Sequence, residues 1–459
     1  MSILATSPKA PTAPASIKKA AGRAAAWSMG AYGAAQVIRT ASSLVLTRML
    51  APEVFGLMAL VQVFLQGLQL FSDVGIGPSL VQNKRGEDRD FVNTAWTIQA
   101  GRGVLLWIAG CALAYPAAML YAEPAIAAVL PVVALNAVIL GLGSTKVYTC
   151  QRHLALGYTT VVELIQQVVA VCVTITAAYF SPTVWALVIG SISGATTRLV
   201  LSHLWLPGPL NRFHWDRTAV GDLVRFGKWV FMSTAIGFIA GQADRLIIGK
   251  LMSMEMLGVY SIAVMITLTP RHVLSRLGGS VLFPSVARKA ELPRDELRAK
   301  LQKARWPLLV LMACALAVLA GVGDIMVRLL WPEPFHDAGW MLAYLALGLW
   351  PTVLLNTMGP ALRALGQPQW AAWGDLLRLI TIIAAMIVGY ELFGLTGLVI
   401  GIACSEVPKY AMSVVGQNRE KLFGGRQDLS ATFILLTLYF AIVLIRLALG
   451  LGWPFLPPA

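Results

Sequence analysis

From residue 25 to residue 452 the chain is a succession of apolar runs, each 21 to 29 residues long, separated by short charged connections. About 20 apolar residues are needed to cross a hydrocarbon core ~30 Å thick. In lipid the backbone must satisfy its own hydrogen bonds, so such runs are helices, and a membrane barrel would show ten-residue alternating strands instead. Thirteen segments can be delimited, at roughly 25–49, 54–82, 92–114, 125–148, 158–180, 184–206, 222–249, 256–284, 306–330, 339–362, 370–391, 395–415 and 430–452. Composition agrees: 57% of residues are hydrophobic and 13% charged, with mean hydropathy +0.71, against roughly 45–50% and 25% in soluble domains. A soluble enzyme is excluded, and the fold class is all-α, a polytopic membrane protein.

The net charge of +14 would suggest nucleic acid in a soluble chain. Its distribution points to membrane topology instead. With the N-terminus inside, alternate connections collect 24 of the 36 basic residues, including Lys18, Arg85, Lys146, Arg152, Arg212 and a group of seven from Arg288 to Arg305. The opposite connections hold Lys250, with Arg48 close by. The positive-inside rule then places the N-terminus in the cytoplasm. Segment 430–452 is counted as a thirteenth span, with a helix lying in the interface as the alternative. Trp27, Trp205, Trp306, Trp331, Trp370 and Trp453 fall at segment ends, where interfacial anchors belong.

No connection has room for a soluble catalytic domain. There is no GxxxxGK[ST] loop and no HExxH. Asp88-Arg89-Asp90 resembles a DxD metal motif but sits in a short charged loop, where a solvated role is expected. Cys111, Cys150, Cys172, Cys314 and Cys404 form no CxxC or Cys/His cluster and read as buried free thiols. No metal or cofactor is expected.

A diverged repeat divides the chain. Shifted by 202, residues 44–57 meet 246–259, and Arg48, Glu53 and Gly56 coincide with Lys250, Glu255 and Gly258. Shifted by 211, Leu187–Gly190 meets Leu398–Gly401 and Arg198 meets Lys409, while Glu163 and Asp375 hold matching places in segments five and eleven. Both copies begin inside and hold six helices, so the repeats are parallel, a design that transporters use to rock one half against the other. The expected division is a disordered tail at 1–23, bundles at 24–210 and 211–420, and an extra C-terminal helix with its tail at 421–459.

Charged side chains within apolar segments face cavities or pair with one another. Arg102, Asp324, Arg328, Arg378 and Arg446 lie near segment ends or close to an opposite charge and read as structural. Asp244 and Arg245 read equally as a structural pair or as functional groups. Arg39, Arg271 and Arg276 lie deeper and line a cationic cavity, since arginine stays charged and forks onto phosphate. Asp73, Glu163, Asp244 and Asp375 are candidates for coupling to H⁺ or Na⁺. Gly190/Gly194, Gly237/Gly241 and Gly397/Gly401 are spaced for close helix approach.

The stretches "LAPEVFGLMALVQVFLQGLQLFSDVGIGPSLVQ" (50–82), "ADRLIIGKLMSMEMLGVYSIA" (243–263) and "VLFPSVARK" (281–289) resemble the Wzx-type flippases. These are the colanic-acid-like branch of the polysaccharide transporter family, in the superfamily that includes multidrug and lipid II exporters. The resemblance spans about 25–420. It implies two six-helix bundles in a V and alternating access. It also implies transfer of undecaprenyl-pyrophosphate-linked oligosaccharide from the cytoplasmic to the periplasmic leaflet of a bacterial inner membrane. A cationic cavity would hold the head group on Arg39, Arg245, Arg271 and Arg276, and Asp73 and Asp244 match acidic positions of the family. The implied partners are the lipid-linked oligosaccharide, membrane lipids, and polysaccharide polymerase and chain-length proteins. A multidrug antiporter of the same superfamily, or a membrane polymerase or ligase, are the alternatives. The segment at 430–452 departs from the family's common twelve.

Overall fold

The computed structural model describes residues 30, 32–71, 75–83, 85–153, 155–277, 293–365, 367 and 369–455. At 221–236, 273, 275–277, 360, 363 and 364 it describes the backbone alone. The proposed tail at 1–23 and Asp73 lie outside the described residues, as does the side chain of Arg276. No strand occurs among the described residues.

The chain forms two compact units, Met1–Ala235 and Ile236–Ala459. The first holds α1 (32–46), α2 (Pro52–Phe71), α3 (Ile76–Gln82), α4 (Arg89–Tyr121), α5 (Ala125–Gly141), α6 (Lys146–Arg152), α7 (Leu156–Phe180) and α8 (Val184–Leu204). The division falls within α9 (Arg217–Leu251). The second unit continues with α10 (Met254–Leu277), α11 (Arg294–Leu330), α12 (Ala338–Gly348), α13 (Trp350–Ala364), α14 (Gln369–Cys404), α15 (Glu406–Arg419) and α16 (Gly425–Ala448).

Among the described residues, eight helical stretches are long and apolar enough to cross a membrane, or nine if the bent pair α5 and α6 is one span. Thirteen were expected, and the difference has identifiable causes. Asp244 and Arg245 in α9, and Glu255 and Arg271 in α10, lower the hydropathy of those helices. One counted stretch, Gln369–Arg419, holds two expected segments. Within it α14 turns at Phe393 and Gly394, where Gly394 adopts φ 58°, a conformation that favours glycine. The arms fold back tightly: a Cβ on Gly397 would lie 1.9 Å from the Gly389 carbonyl oxygen, and one on Gly401 2.4 Å from that of Ala385. Gly190 and Gly194 likewise admit Thr174 and Ala170 of α7. Gly237 and Gly241, expected to do the same, meet nothing within 4 Å among the described residues.

In the first unit, α4 packs along α5, and α7 along α8. Segment 125–148 is not one helix. It breaks at residues 142–145 and turns by 59° into α6. The broken end is capped by side chains: Trp96 Nε1 donates to Leu142 O at 3.2 Å, and Gln99 Nε2 to Gly141 O and Gly143 O at 3.0 Å each. Lys146, expected in a solvated connection, is buried there and donates to His203 O at 2.9 Å. Arg152 Nη1 reaches the last carbonyls of α3, at 3.2 Å from Leu80 O and 2.6 Å from Asn83 O.

The connection 205–216 is strapped along the start of α4. Backbone N–H groups of Arg212, His214 and Asp216 donate to Asn93 Oδ1, Thr97 Oγ1 and Thr94 Oγ1, each at 3.0 Å. Arg85 Nη2 donates to Asp216 Oδ2 at 2.9 Å. Asp88 caps α4 and takes the Asp90 N–H. The DxD-like residues are therefore a helix start with solvated ion pairs.

In the second unit α11 packs on both α12 and α16. Arg305 was grouped with the basic residues of a connection, but it lies inside α11, 1% exposed, 2.7 Å from Asp428 of α16. That contact is not aligned as a hydrogen bond. Instead Arg305 Nε donates to Thr357 Oγ1 at 2.8 Å, and Tyr410 Oη donates to Asp428 Oδ2 at 2.6 Å. At the other end, Arg446 of α16 grips Asp324 of α11 through both oxygens, at 2.5 and 2.8 Å. Trp331, expected as an interfacial anchor, is buried. Of the five free cysteines only Cys150 is buried; the others stand on outer helix faces among exposed apolar side chains such as Leu105, Ile108 and Phe433. Such faces suit lipid, and the protein is a multi-pass membrane protein.

Candidate functional site

The second unit holds a polar cluster among apolar helices. Helices α9 and α10 are joined at Met252–Ser253, and Ser253 Oγ caps the start of α10 by accepting the Met256 N–H at 3.2 Å. Asp244 and Tyr260 lie eight residues on either side of this turn, so the hairpin sets them side by side. Tyr260 Oη donates to Asp244 Oδ2 at 2.6 Å. Asp244 Oδ1 is buried and meets no donor among the described residues. Arg245 Nη1 donates to Gln242 Oε1 at 2.8 Å. Arg245 and Arg378 lie within electrostatic reach of the Tyr260 hydroxyl. Arg378 Nε is 2.7 Å from Glu406 Oε1, with both side chains 12% exposed, though the approach is not aligned as a hydrogen bond. The Asp244–Tyr260 pair of α9 and α10, with Arg245 beside it, thus lies within electrostatic reach of Arg378 of α14, which itself faces Glu406 of α15.

Sequence reasoning named Asp244 and Arg245 here and read Arg378 as structural. It missed Tyr260, whose signal was its symmetry with Asp244 about the turn. Arg271 is half-buried, three turns and ~16 Å further along α10, and it does not join the cluster. Arg39 stands exposed on α1, its carbonyl accepting Ser42 Oγ at 2.9 Å. Asp375 pairs with Lys409 at 2.5 Å, beside a cavity of about 120 Å³ that Asn356 and Ser413 also line. Their counterparts Glu163 and Arg198 differ: Glu163 is exposed on α7 and Arg198 half-buried on α8, with no ion pair joining them among the described residues. The other repeat positions occupy like places. Glu53 and Glu255 are exposed in the first turns of α2 and α10, Gly56 and Gly258 are buried one turn on, and Arg48 and Lys250 are exposed before them.

The first unit holds a partly open cavity of about 370 Å³ lined by α2, α3, α4, α5, α6 and α8. Arg102 and Arg198 line it, and none of its described lining residues is acidic. Arg102 Nη2 donates to Gln69 O at 2.6 Å, a carbonyl of α2's last turn, where the helix leaves acceptors unused. Sequence reasoning set Arg102 aside as structural and used Arg198 only as a repeat marker. Their convergence depends on helix packing, which the sequence does not display.

Residues 45–339, more than half of the chain, match the family described as polysaccharide biosynthesis protein. The chain belongs to this polysaccharide biosynthesis family. Over 363 residues it is 22% identical to the lipopolysaccharide biosynthesis protein WzxC of Escherichia coli (strain K12), covering 78% of this chain and 72% of that one. It is 23% identical to the succinoglycan biosynthesis transport protein ExoT of Rhizobium meliloti (strain 1021), covering 75% and 69%. This member of the family superposes on the lipid II flippase MurJ in its inward closed conformation with TM-score 0.72 and 13% identity, over 91% of this chain and 92% of that one. It also superposes on an inward-facing multidrug resistance MATE transporter of the MOP superfamily with TM-score 0.67 and 13% identity, over 84% and 94%. The polysaccharide biosynthesis family and the fold of these two structures therefore coincide in one chain.

Proposed function

We propose that this protein is a lipid-linked oligosaccharide flippase. It moves undecaprenyl-pyrophosphate-linked repeat units from the cytoplasmic to the periplasmic leaflet of the bacterial inner membrane by alternating access, with its N-terminus in the cytoplasm. Its working parts are two six-helix copies, 24–210 and 211–420, and an added C-terminal stretch at 421–459. The observation that carries the reading is the match to the polysaccharide biosynthesis family over residues 45–339. The relatives named for lipopolysaccharide and succinoglycan, and the likeness in fold to a lipid II flippase, support it. Arg39, Arg245, Arg271 and Arg276 attract the pyrophosphate, since a guanidinium stays charged and binds phosphate oxygens in pairs.

Asp244 is the coupling acid in this reading. A carboxylate with one oxygen held by Tyr260 and the other without a donor among the described residues suits the taking up of H⁺ or Na⁺. The membrane potential then contributes about 2.3 kcal/mol per charge per 100 mV. Polymerase and chain-length proteins receive the exported unit.

Mass spectrometry of membrane lipids from a deletion strain tests the function. Accumulated undecaprenyl-pyrophosphate oligosaccharide with loss of the exported polymer is expected. Normal lipids and intact polymer, with no second flippase present, would shift the reading to a small-molecule antiporter. Arg271→Ala and Arg276→Ala should each reduce export at normal membrane insertion, and unchanged export in both would remove the arginines from the mechanism. Asp244→Asn should abolish dependence of export on the ion gradient; retained dependence would clear Asp244 of that role.

A further inference from the structure

We propose that the cavity within the first unit is a binding site for a sugar phosphate, with Arg198 holding the anion and Gln99 receiving a sugar hydroxyl. The proposal rests on the flippase reading and locates a head-group site inside one unit. Three features of the cavity point the same way. First, Arg198 lines it and meets no carboxylate among the described residues. A cation in a membrane helix is costly to insert and calls for an anion or water. Second, Gln99 lines the same space and is a half-finished hydrogen-bonding group. Its Nε2 is occupied by the carbonyls of Gly141 and Gly143, whereas its Oε1 is buried and accepts nothing from the described residues. A buried amide oxygen left without a donor is unfavourable, so the site wants a hydroxyl or amine proton. Third, the wall beside Gln99 is the non-helical stretch 142–145, where α5 breaks into α6. Irregular backbone at membrane depth is tolerated where it lines a cavity.

An anion and a hydroxyl donor together describe a phosphorylated sugar. A lipophilic cation satisfies neither group. The volume of about 370 Å³ falls near the lower end of the roughly 300–1,000 Å³ of small-molecule sites. It accommodates one phosphorylated residue and not a whole repeat unit. The same chemistry belongs to a lipid-linked sugar phosphate and to the glycerol phosphate head of an anionic phospholipid.

The test is calorimetric titration of the full chain in phosphatidylcholine nanodiscs with glucose 1-phosphate, inorganic phosphate and glucose. Glucose 1-phosphate should bind more tightly than either fragment. Arg198→Gln should weaken it at least tenfold, about 1.4 kcal/mol, and Arg198→Lys should recover part of the loss. Gln99→Leu should weaken glucose 1-phosphate but leave inorganic phosphate unchanged, a split that mere loosening of the fold does not produce. Exchanging phosphatidylcholine for phosphatidylglycerol separates the two sources. Competition in the wild type that is absent from Arg198→Gln assigns the phospholipid head, and absence of competition assigns the lipid-linked sugar. Wild-type-like binding in both Arg198→Gln and Gln99→Leu, or no wild-type binding at 10 mM (about −2.7 kcal/mol), overturns the proposal. Lipid accumulation in the deletion strain together with that result would leave the flippase reading standing and remove only this site.

Discussion

Replacing Arg446 with methionine should cost more than any other single truncation in α16. The wild-type guanidinium is 3% exposed, and its partner Asp324 is 11% exposed. It donates to both Asp324 oxygens, to Gly321 O at 2.6 Å and to Leu451 O at 3.2 Å. Methionine would fill much of the volume but leave a carboxylate among apolar helices. Breaking a buried pair from one side costs about 3–5 kcal/mol, so the folded-to-unfolded ratio should fall by roughly two to nearly four orders of magnitude. Asp324→Leu alone should cost a similar amount, because it strands the arginine. The double variant Arg446→Met with Asp324→Leu should recover most of the loss, since well-packed apolar replacement of a buried pair is often close to neutral. Thermal unfolding in detergent, followed by size-exclusion fluorescence for all four proteins, reads the cycle. Single variants each costing under about 1 kcal/mol, with additive effects, would refute the reasoning and class the pair with exposed surface bridges.

The same helices carry a second pair at their other end, and its polarity is reversed. Helix α11 supplies Arg305 and then Asp324, whereas α16 supplies Asp428 and then Arg446. The intervals of 19 and 18 residues correspond to about 27–29 Å of helix, close to the ~30 Å hydrocarbon thickness. The pairs therefore bracket the apolar zone. Running α16 the opposite way would set Arg against Arg and Asp against Asp. The pairs fix direction and register, a use of buried charge that is better attested than stability itself. They also give the C-terminal helix a structural reason to be charged.

Glycine substitutions should separate positions of contact from positions of mere spacing. Gly397→Ala should lower the unfolding temperature strongly, because its Cβ would strike the Gly389 carbonyl. Gly237→Ala meets nothing within 4 Å among the described residues and should hold or raise the unfolding temperature, through a gain in helix propensity of up to about 1 kcal/mol. The reverse ranking would contradict the hairpin. In the strapped connection, hydrogen bonds from Arg85 and Thr218 hold the Asp216 carboxyl down at about 2, below its ordinary 3.8. Its contribution is therefore complete above pH 3.8 and is lost as the pH falls toward 2. Limited proteolysis should cut the connection in Asp216→Asn already at neutral pH, and equal resistance of both proteins would exclude the anchor. Thr94→Val removes the acceptor of the Asp216 N–H and should cost about 1 kcal/mol, read as a lower unfolding temperature; no shift would mean that water replaces the hydroxyl.

Apolar periodicity made the helices legible from the sequence, and so did the places where paired charges would be needed. It did not disclose partners. Asp324 stands one helical turn before Arg328, and proximity along the chain favours that pair. In the folded unit Arg328 is exposed, and Asp324 turns to Arg446, 122 residues away. Arg305 misled in the opposite direction. It closes a run of seven basic residues, yet α11 has already turned it inward. The helix breaks were hidden for a related reason. Residues 142–145 interrupt a run whose average hydropathy stays high, and what permits the break is the capping of its carbonyls by Trp96 and Gln99 from another helix. A lone charge in an apolar run therefore marks a position that must be compensated, and tertiary packing decides by what. Where packing supplies a carboxylate, as at Arg446, the group is structural. Where it supplies a cavity, as at Arg198, the compensation is left to a ligand.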